Sequence, residues 1–128
     1  MNKLTQLLNL LRIHQWHKNT FVLLGFFALG DYKNYGLLLN AILMFITFCL
    51  ASSSVYIFND YRDIEADRRH PVKKNRPLPR GEVQIKTALF LAVILCLTSL
   101  ITSFYVGVIA LAIVTFYLLN NFTYSLFF

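Results

Sequence analysis

Charge is scarce in this chain. Of 128 residues only 18 are ionised at neutral pH, 12 Lys or Arg and 6 Asp or Glu, while 57% are hydrophobic and the mean hydropathy is +0.57. A soluble domain carries about 25% charged residues, and one of this size needs more polar side chains to cover its surface. That excludes an ordinary soluble globule. Cysteine occurs only as Cys49 and Cys96, each deep in an apolar run, so neither a disulfide framework nor a thiolate metal site has a spacing to support it. The three prolines all lie between Pro71 and Pro79, which leaves long stretches without a helix breaker. A leader with a small-residue cleavage site is not seen at the N-terminus, and no 20–50-residue repeat is present.

What remains is hydrocarbon-seeking sequence, and it predicts an all-α, polytopic transmembrane helix bundle with about four crossings. Leu4, Leu7, Leu8 and Leu11 recur at helical spacing and lead through Arg12, His14, Trp16, His17 and Lys18 into an apolar stretch ending at Gly30. Joined, they predict one tilted helix over about 5–30, with the histidines anchoring at a membrane boundary rather than ligating a metal. Asn34 to Asn59 holds no charge and predicts a crossing over about 35–60. Near its end, Ser52, Ser53 and Ser54 suit close helix packing. After Lys86 no charge appears through Phe128, a run of 42, which at about 1.5 Å per residue makes two helices over about 84–104 and 107–127 with a reversal at 103–107. Three basic residues flank the first segment and eight occupy the central loop over about 61–83 and its edges, against one in the 31–34 turn. Both basic sides are therefore expected in the cytoplasm. The net charge of +6 reflects this and gives no reason to expect nucleic acid.

The charge that exists is concentrated. Four of the six acidic residues are Asp60, Asp63, Glu65 and Asp67. On a continuous helix Asp60, Asp63 and Asp67 fall within an arc of about 60° and Asn59 widens it to roughly 100°, with Glu65 opposite and able to pair with Arg62. Three carboxylates and an amide oxygen on one face call for a hard cation. Mg²⁺ takes one or two carboxylates and completes its shell with water and phosphate. Arg68, Arg69, Lys73, Lys74, Arg76 and Arg80 follow within thirteen residues, the usual partners of phosphate oxygens. Taken alone, such cations read as a topology signal touching lipid headgroups. Beside the carboxylates, they suit a diphosphate leaving group.

These residues resemble the UbiA superfamily of membrane prenyltransferases. Asn59, Asp60, Asp63 and Asp67 match its N-D-x-x-D-x-x-x-D signature, and Lys73, Arg76, Pro77, Leu78 and Gly81 match K-x-x-R-P-L-x-x-G. Within it, Glu65, Arg68, His70, Pro71 and Lys73 are most similar to the decaprenyl-phosphate phosphoribosyltransferase branch. Arg12, Gln15, Trp16, Lys18 and Asn19 resemble its R-P-x-Q-W-x-K-N element, with Ile13 in place of proline. The closing Tyr124-Ser125-Leu126 is similar to the end of the family's fourth helix. The resemblance implies a nine-helix fold of which residues 1–128 form the N-terminal part, with a second aspartate-rich motif in a later segment.

The resemblance further implies a Mg²⁺-dependent transferase moving 5-phosphoribosyl from phosphoribosyl diphosphate to polyprenyl (decaprenyl) phosphate, a cell wall precursor step at a bacterial inner membrane. Asp60, Asp63 and Asp67 would be the catalytic metal ligands. Asn59, Arg68, His70, Lys73, Arg76, Lys18 and Arg12 would bind substrate, Lys18 and Arg12 standing equally for headgroup anchors. One alternative keeps the site but takes a prenyl diphosphate donor and an aromatic or other acceptor. Another is a non-catalytic membrane subunit or an inactive fragment awaiting a C-terminal half or oligomer partner.

Overall fold

A computed structural model describes residues 2–128, and among them there is no strand. Helices α1 (Lys3–Leu11), α2 (Phe21–Leu29), α3 (Tyr35–Arg62), α4 (Ile64–Arg68), α5 (Ile85–Val106) and α6 (Val108–Phe127) follow in order. A 3-10 helix over Ile13–Thr20 joins the first two, and a shorter one over Lys73–Asn75 sits in the central loop. Three helices, α3, α5 and α6, are long and apolar enough to cross a membrane. The segment expected as one helix over 5–30 is instead three pieces. Arg12 breaks it by taking a left-handed conformation, φ 53° and ψ 44°, the only positive φ outside glycine among the described residues. Neither α1 nor α2, at nine residues each, spans the roughly 30 Å hydrocarbon layer by itself.

Helix α3 is the axis of the molecule. Asn34 caps its start, accepting from the Leu37 N–H at 3.0 Å, and the uncharged run behind it carries the helix to Arg62. It packs against every other long element, most extensively against α5. Its hydroxyls tie it to its neighbours: Ser54 donates to the Ala92 carbonyl at 2.9 Å and Thr47 meets Thr102 at 2.7 Å, both on α5. One apolar cluster (Phe48, Ala51, Val55, Val114, Leu118) joins α3 to α6. A second joins α1, α3 and α5 to the loop, through Leu10, Ile57, Ile64, Leu78, Val83, Ala88 and Ala92. Between α5 and α6 the chain reverses at Gly107, φ 155° and ψ 167°, a region essentially restricted to glycine.

Candidate functional site

The second apolar cluster organises the polar loop. Pro77, Leu78 and Pro79 are buried, pinning the loop back against the helix ends. Gly81, at φ 75°, lets the chain turn so that its N–H reaches the Leu78 carbonyl at 3.0 Å. The prolines act as expected: α4 ends at Arg68 before Pro71, and Arg76 is extended before Pro77. Anchored one residue before the buried triplet, Arg76 reaches two carboxylates. Its Nη1 donates to Asp60 Oδ1 at 3.2 Å and to Asp67 Oδ2 at 3.1 Å. Arg12, brought round by its left-handed turn, donates from Nη2 to the same Asp60 oxygen at 2.5 Å and lies 4.7 Å from the Tyr56 ring centroid. Asp60 is 2% exposed and Asp67 3% exposed, and guanidinium groups answer both buried carboxylates.

The three aspartates do not share one continuous helical face. Asp63 caps α3 at φ −99° and ψ 8°, and α4 restarts at Ile64, so the regular 100° advance is interrupted there. Asp63 is exposed and, among the described residues, carries no ion pair. The break also changes the expected pairing of Arg62 with Glu65: Glu65 begins a new helix and pairs with Arg68 one turn on, at 2.9 Å. That exposed pair contributes about 0–1 kcal/mol. Arg68 also donates from Nε to the Pro79 carbonyl at 3.3 Å, a loop-bracing role.

A cavity of about 280 Å³ opens beside these groups, with Arg12, Asn59, Asp60, Asp63, Lys73 and Arg76 on its wall. The end of α6 closes it through Tyr124, Ser125 and Phe128, and the Ser125 hydroxyl donates to the Asn59 side-chain oxygen. The sequence likeness placed Ser125 only at the end of a helix and gave it no role in the site, since a lone serine carries no chemical pattern. His70 is not on this wall. Its Nδ1 accepts from the N–H groups of Val72 and Lys73, at 3.1 Å each, and so shapes the turn that presents Lys73. Lys18 is exposed, bonds Gln15 at 3.2 Å and is not on the wall either. The oxygens of Asn59, Asp60 and Asp63 along one cavity are hard donors of the kind Mg²⁺ takes. Asp67 stands behind them on Arg76, and among the described residues no group of three His, Cys, Asp or Glu side chains converges as a ready ligand set.

Residues 19–128 match the UbiA prenyltransferase family. The chain belongs to that family. It is 39% identical over 108 residues to decaprenyl-phosphate phosphoribosyltransferase of Mycolicibacterium smegmatis, covering 81% of this chain and 34% of that protein. The enzyme of the same name from Mycobacterium tuberculosis strain H37Rv is 44% identical over 94 residues, 70% of this chain and 31% of the relative. Digeranylgeranylglyceryl phosphate synthase of Methanosphaera stadtmanae is 37% identical over 79 residues, 62% of this chain and 27% of the relative. The chain thus spans about a third of the length of these decaprenyl-phosphate phosphoribosyltransferases. The family and the chain's three apolar helices support an integral membrane protein.

Proposed function

We propose that this UbiA-family chain forms the donor-binding part of a membrane transferase that moves 5-phosphoribosyl from phosphoribosyl diphosphate to a polyprenyl phosphate. One observation carries the reading: guanidiniums from two distant segments, Arg12 and Arg76, converge on Asp60 beside Asp63, Asn59 and Lys73 around one cavity. Asp60 and Asp63, with Asp67 behind them, would hold Mg²⁺, which when bound screens the diphosphate's charge. Lys73 and the forks of Arg12 and Arg76 meet phosphate oxygens and stabilise the charge that builds on the leaving group. The C1–O bond breaks with its electron pair leaving on diphosphate, and an oxygen of the already ionised lipid phosphate forms the new bond to C1. No general base is required. The charged loop is proposed to face the cytoplasm at a bacterial inner membrane, following the Lys and Arg distribution.

A prenyl diphosphate donor is the second reading, favoured by the likeness to digeranylgeranylglyceryl phosphate synthase. The complete protein, purified in detergent and offered each donor with polyprenyl phosphate, separates them. Transfer from phosphoribosyl diphosphate alone supports the first reading; turnover of geranyl diphosphate with none of phosphoribosyl diphosphate sinks it.

A further inference from the structure

A second cavity, of about 400 Å³, lies away from the aspartates, between the first turns of α1 and the start of α5. Its size falls among small-ligand sites, about 300–1,000 Å³. Lys3 and Glu82 stand on its wall without pairing with each other, and among the described residues Lys3 makes no ion pair at all. Glu82 is held in place. Its N–H reaches the Pro77 carbonyl at 3.0 Å, its neighbour Val83 is buried in the apolar cluster under the loop, and Arg80 Nε meets its Oε1 at 3.2 Å. The other oxygen, Oε2, is shielded and accepts no hydrogen bond among the described residues. A shielded carboxylate oxygen is costly until a donor reaches it. Turning the carboxylate about its terminal bond, a soft torsion, brings it to the cavity.

The cavity lies where the chain enters hydrocarbon. Lys86 is the last charge before 42 uncharged positions, and on α1 Leu4 and Leu8 stay exposed although apolar. A ligand that answers both Lys3 and Glu82 carries an anion and an N–H cation a few atoms apart. A primary ammonium fits Glu82 better than a quaternary one, which has no N–H to donate and is held by aromatic rings, of which this wall has none. Lys3 meets phosphate oxygens, with the Thr87 hydroxyl and the Gln84 amide, which makes no capping bond to α5. Leu7 and Val83 offer apolar surface to the carbons between the two charges. We propose that this cavity seats the phosphoethanolamine headgroup of a membrane lipid. None of its wall residues borders the cavity at the aspartates, so the site stands whichever donor the transferase uses.

Equilibrium binding to the full chain in maltoside micelles tests this, at an ionic strength that screens the net charge of +6. The probes are phosphatidylethanolamine, phosphatidylcholine and phosphatidylglycerol with the same acyl chains, and free phosphoethanolamine. Phosphatidylethanolamine is expected to bind about tenfold more tightly than either other lipid, the effect of one hydrogen bond between charged groups. Glu82→Gln, of the same shape, is expected to erase that margin and leave phosphatidylcholine affinity unchanged. Lys3→Gln is expected to weaken both lipids by a similar factor, because they share the phosphate. Where Glu82→Gln melts below wild type, the wild-type lipid series and the exposed Lys3→Gln decide alone. A wild type without the margin, a margin that survives Glu82→Gln in a folded variant, or unchanged affinity in Lys3→Gln overturns the site. Coupling between Lys3 and Glu82 in a lipid-free double-mutant stability cycle also overturns it, since the two would then satisfy each other. Free phosphoethanolamine binding as tightly as the lipid overturns the lipid as its source.

Discussion

The Ser53 hydroxyl donates to the Leu11 carbonyl at 2.6 Å, and its oxygen receives the Trp16 indole N–H at 2.9 Å. One buried side chain on α3 therefore grips the chain on both sides of Arg12, the residue forced into the left-handed region. Such a conformation is uncommon for a residue with a Cβ and persists where its surroundings over-determine it. Here those surroundings are Ser53 behind the turn and Asp60 in front of it. Removing the hydroxyl in Ser53→Ala leaves an indole N–H and a carbonyl without their partner, a cost of about 1–3 kcal/mol. Thermal unfolding in detergent should register that loss, with a raised donor KM from the displaced Arg12. A variant as stable and as tight as wild type would show that Ser53 does not set the turn.

Thr47 and Thr102 offer a contrast within the same helix pair. Their hydroxyls meet at 2.7 Å, yet Thr102 also donates to carbonyls of its own helix, so other acceptors are at hand. Hydrogen bonds between membrane helices average about 0.6 kcal/mol by double-mutant cycles. The Thr47→Val, Thr102→Val cycle should return a coupling of that size, well below the Ser53→Ala effect.

Arg76 is shared between Asp60 and Asp67, so its removal leaves buried Asp67 without a counter-charge and Asp60 with Arg12 alone. Breaking a buried pair on one side costs about 3–5 kcal/mol. Arg76→Ala is expected to approach that value by denaturation in detergent. Adding Asp67→Asn to it should recover part of the loss, because the carboxylate left without a counter-charge is gone; strictly additive losses would argue against the pairing.

Asp63 predicts the opposite pattern. It is exposed and has no ion pair among the described residues, so Asp63→Asn should change stability by no more than about 0.5 kcal/mol. Phosphoribosyl transfer by the complete protein should nonetheless fall on the order of 10²-fold or more, with a steeper Mg²⁺ requirement. A variant that keeps its rate removes Asp63 from the metal site.

His70 is expected to work through the loop. Its ring nitrogen accepts two backbone N–H bonds, a task an asparagine side-chain oxygen can perform from a similar distance along the chain. His70→Ala should raise donor KM and speed proteolysis at residues 72–75, and His70→Asn should restore both. Failure of asparagine to rescue, with the loop still protected, would instead assign the imidazole a direct role.

Much of this was legible in the chain itself. Apolar runs long enough to span a bilayer yielded α3, α5 and α6 nearly to the residue, because hydrocarbon demands internal hydrogen bonding over a set length. The expected helix over 5–30 was not legible as three pieces, since Leu4 to Leu11 and Thr20 to Gly30 are each helical and nothing local announces the left-handed Arg12. That turn is stabilised by Ser53, 41 positions away, 53 less 12. Similarly, Pro77 and Gly81 announced a loop, but not that Leu78 would bury and set Arg76 against Asp60 and Asp67.

Composition and spacing determined that the chain is a membrane helix bundle and that its carboxylates and cations gather at one polar end. These are properties of single segments: hydrophobic length, charge and the periodicity of a helix. Tertiary structure alone decided how the carboxylates divide, because charge partners come from segments far apart in sequence. Arg12 and Arg76 close on Asp60, Arg76 also takes Asp67, and the helix break leaves Asp63 to the cavity. A helical wheel places three aspartates on one face; only the packed loop shows which of them already has a counter-charge.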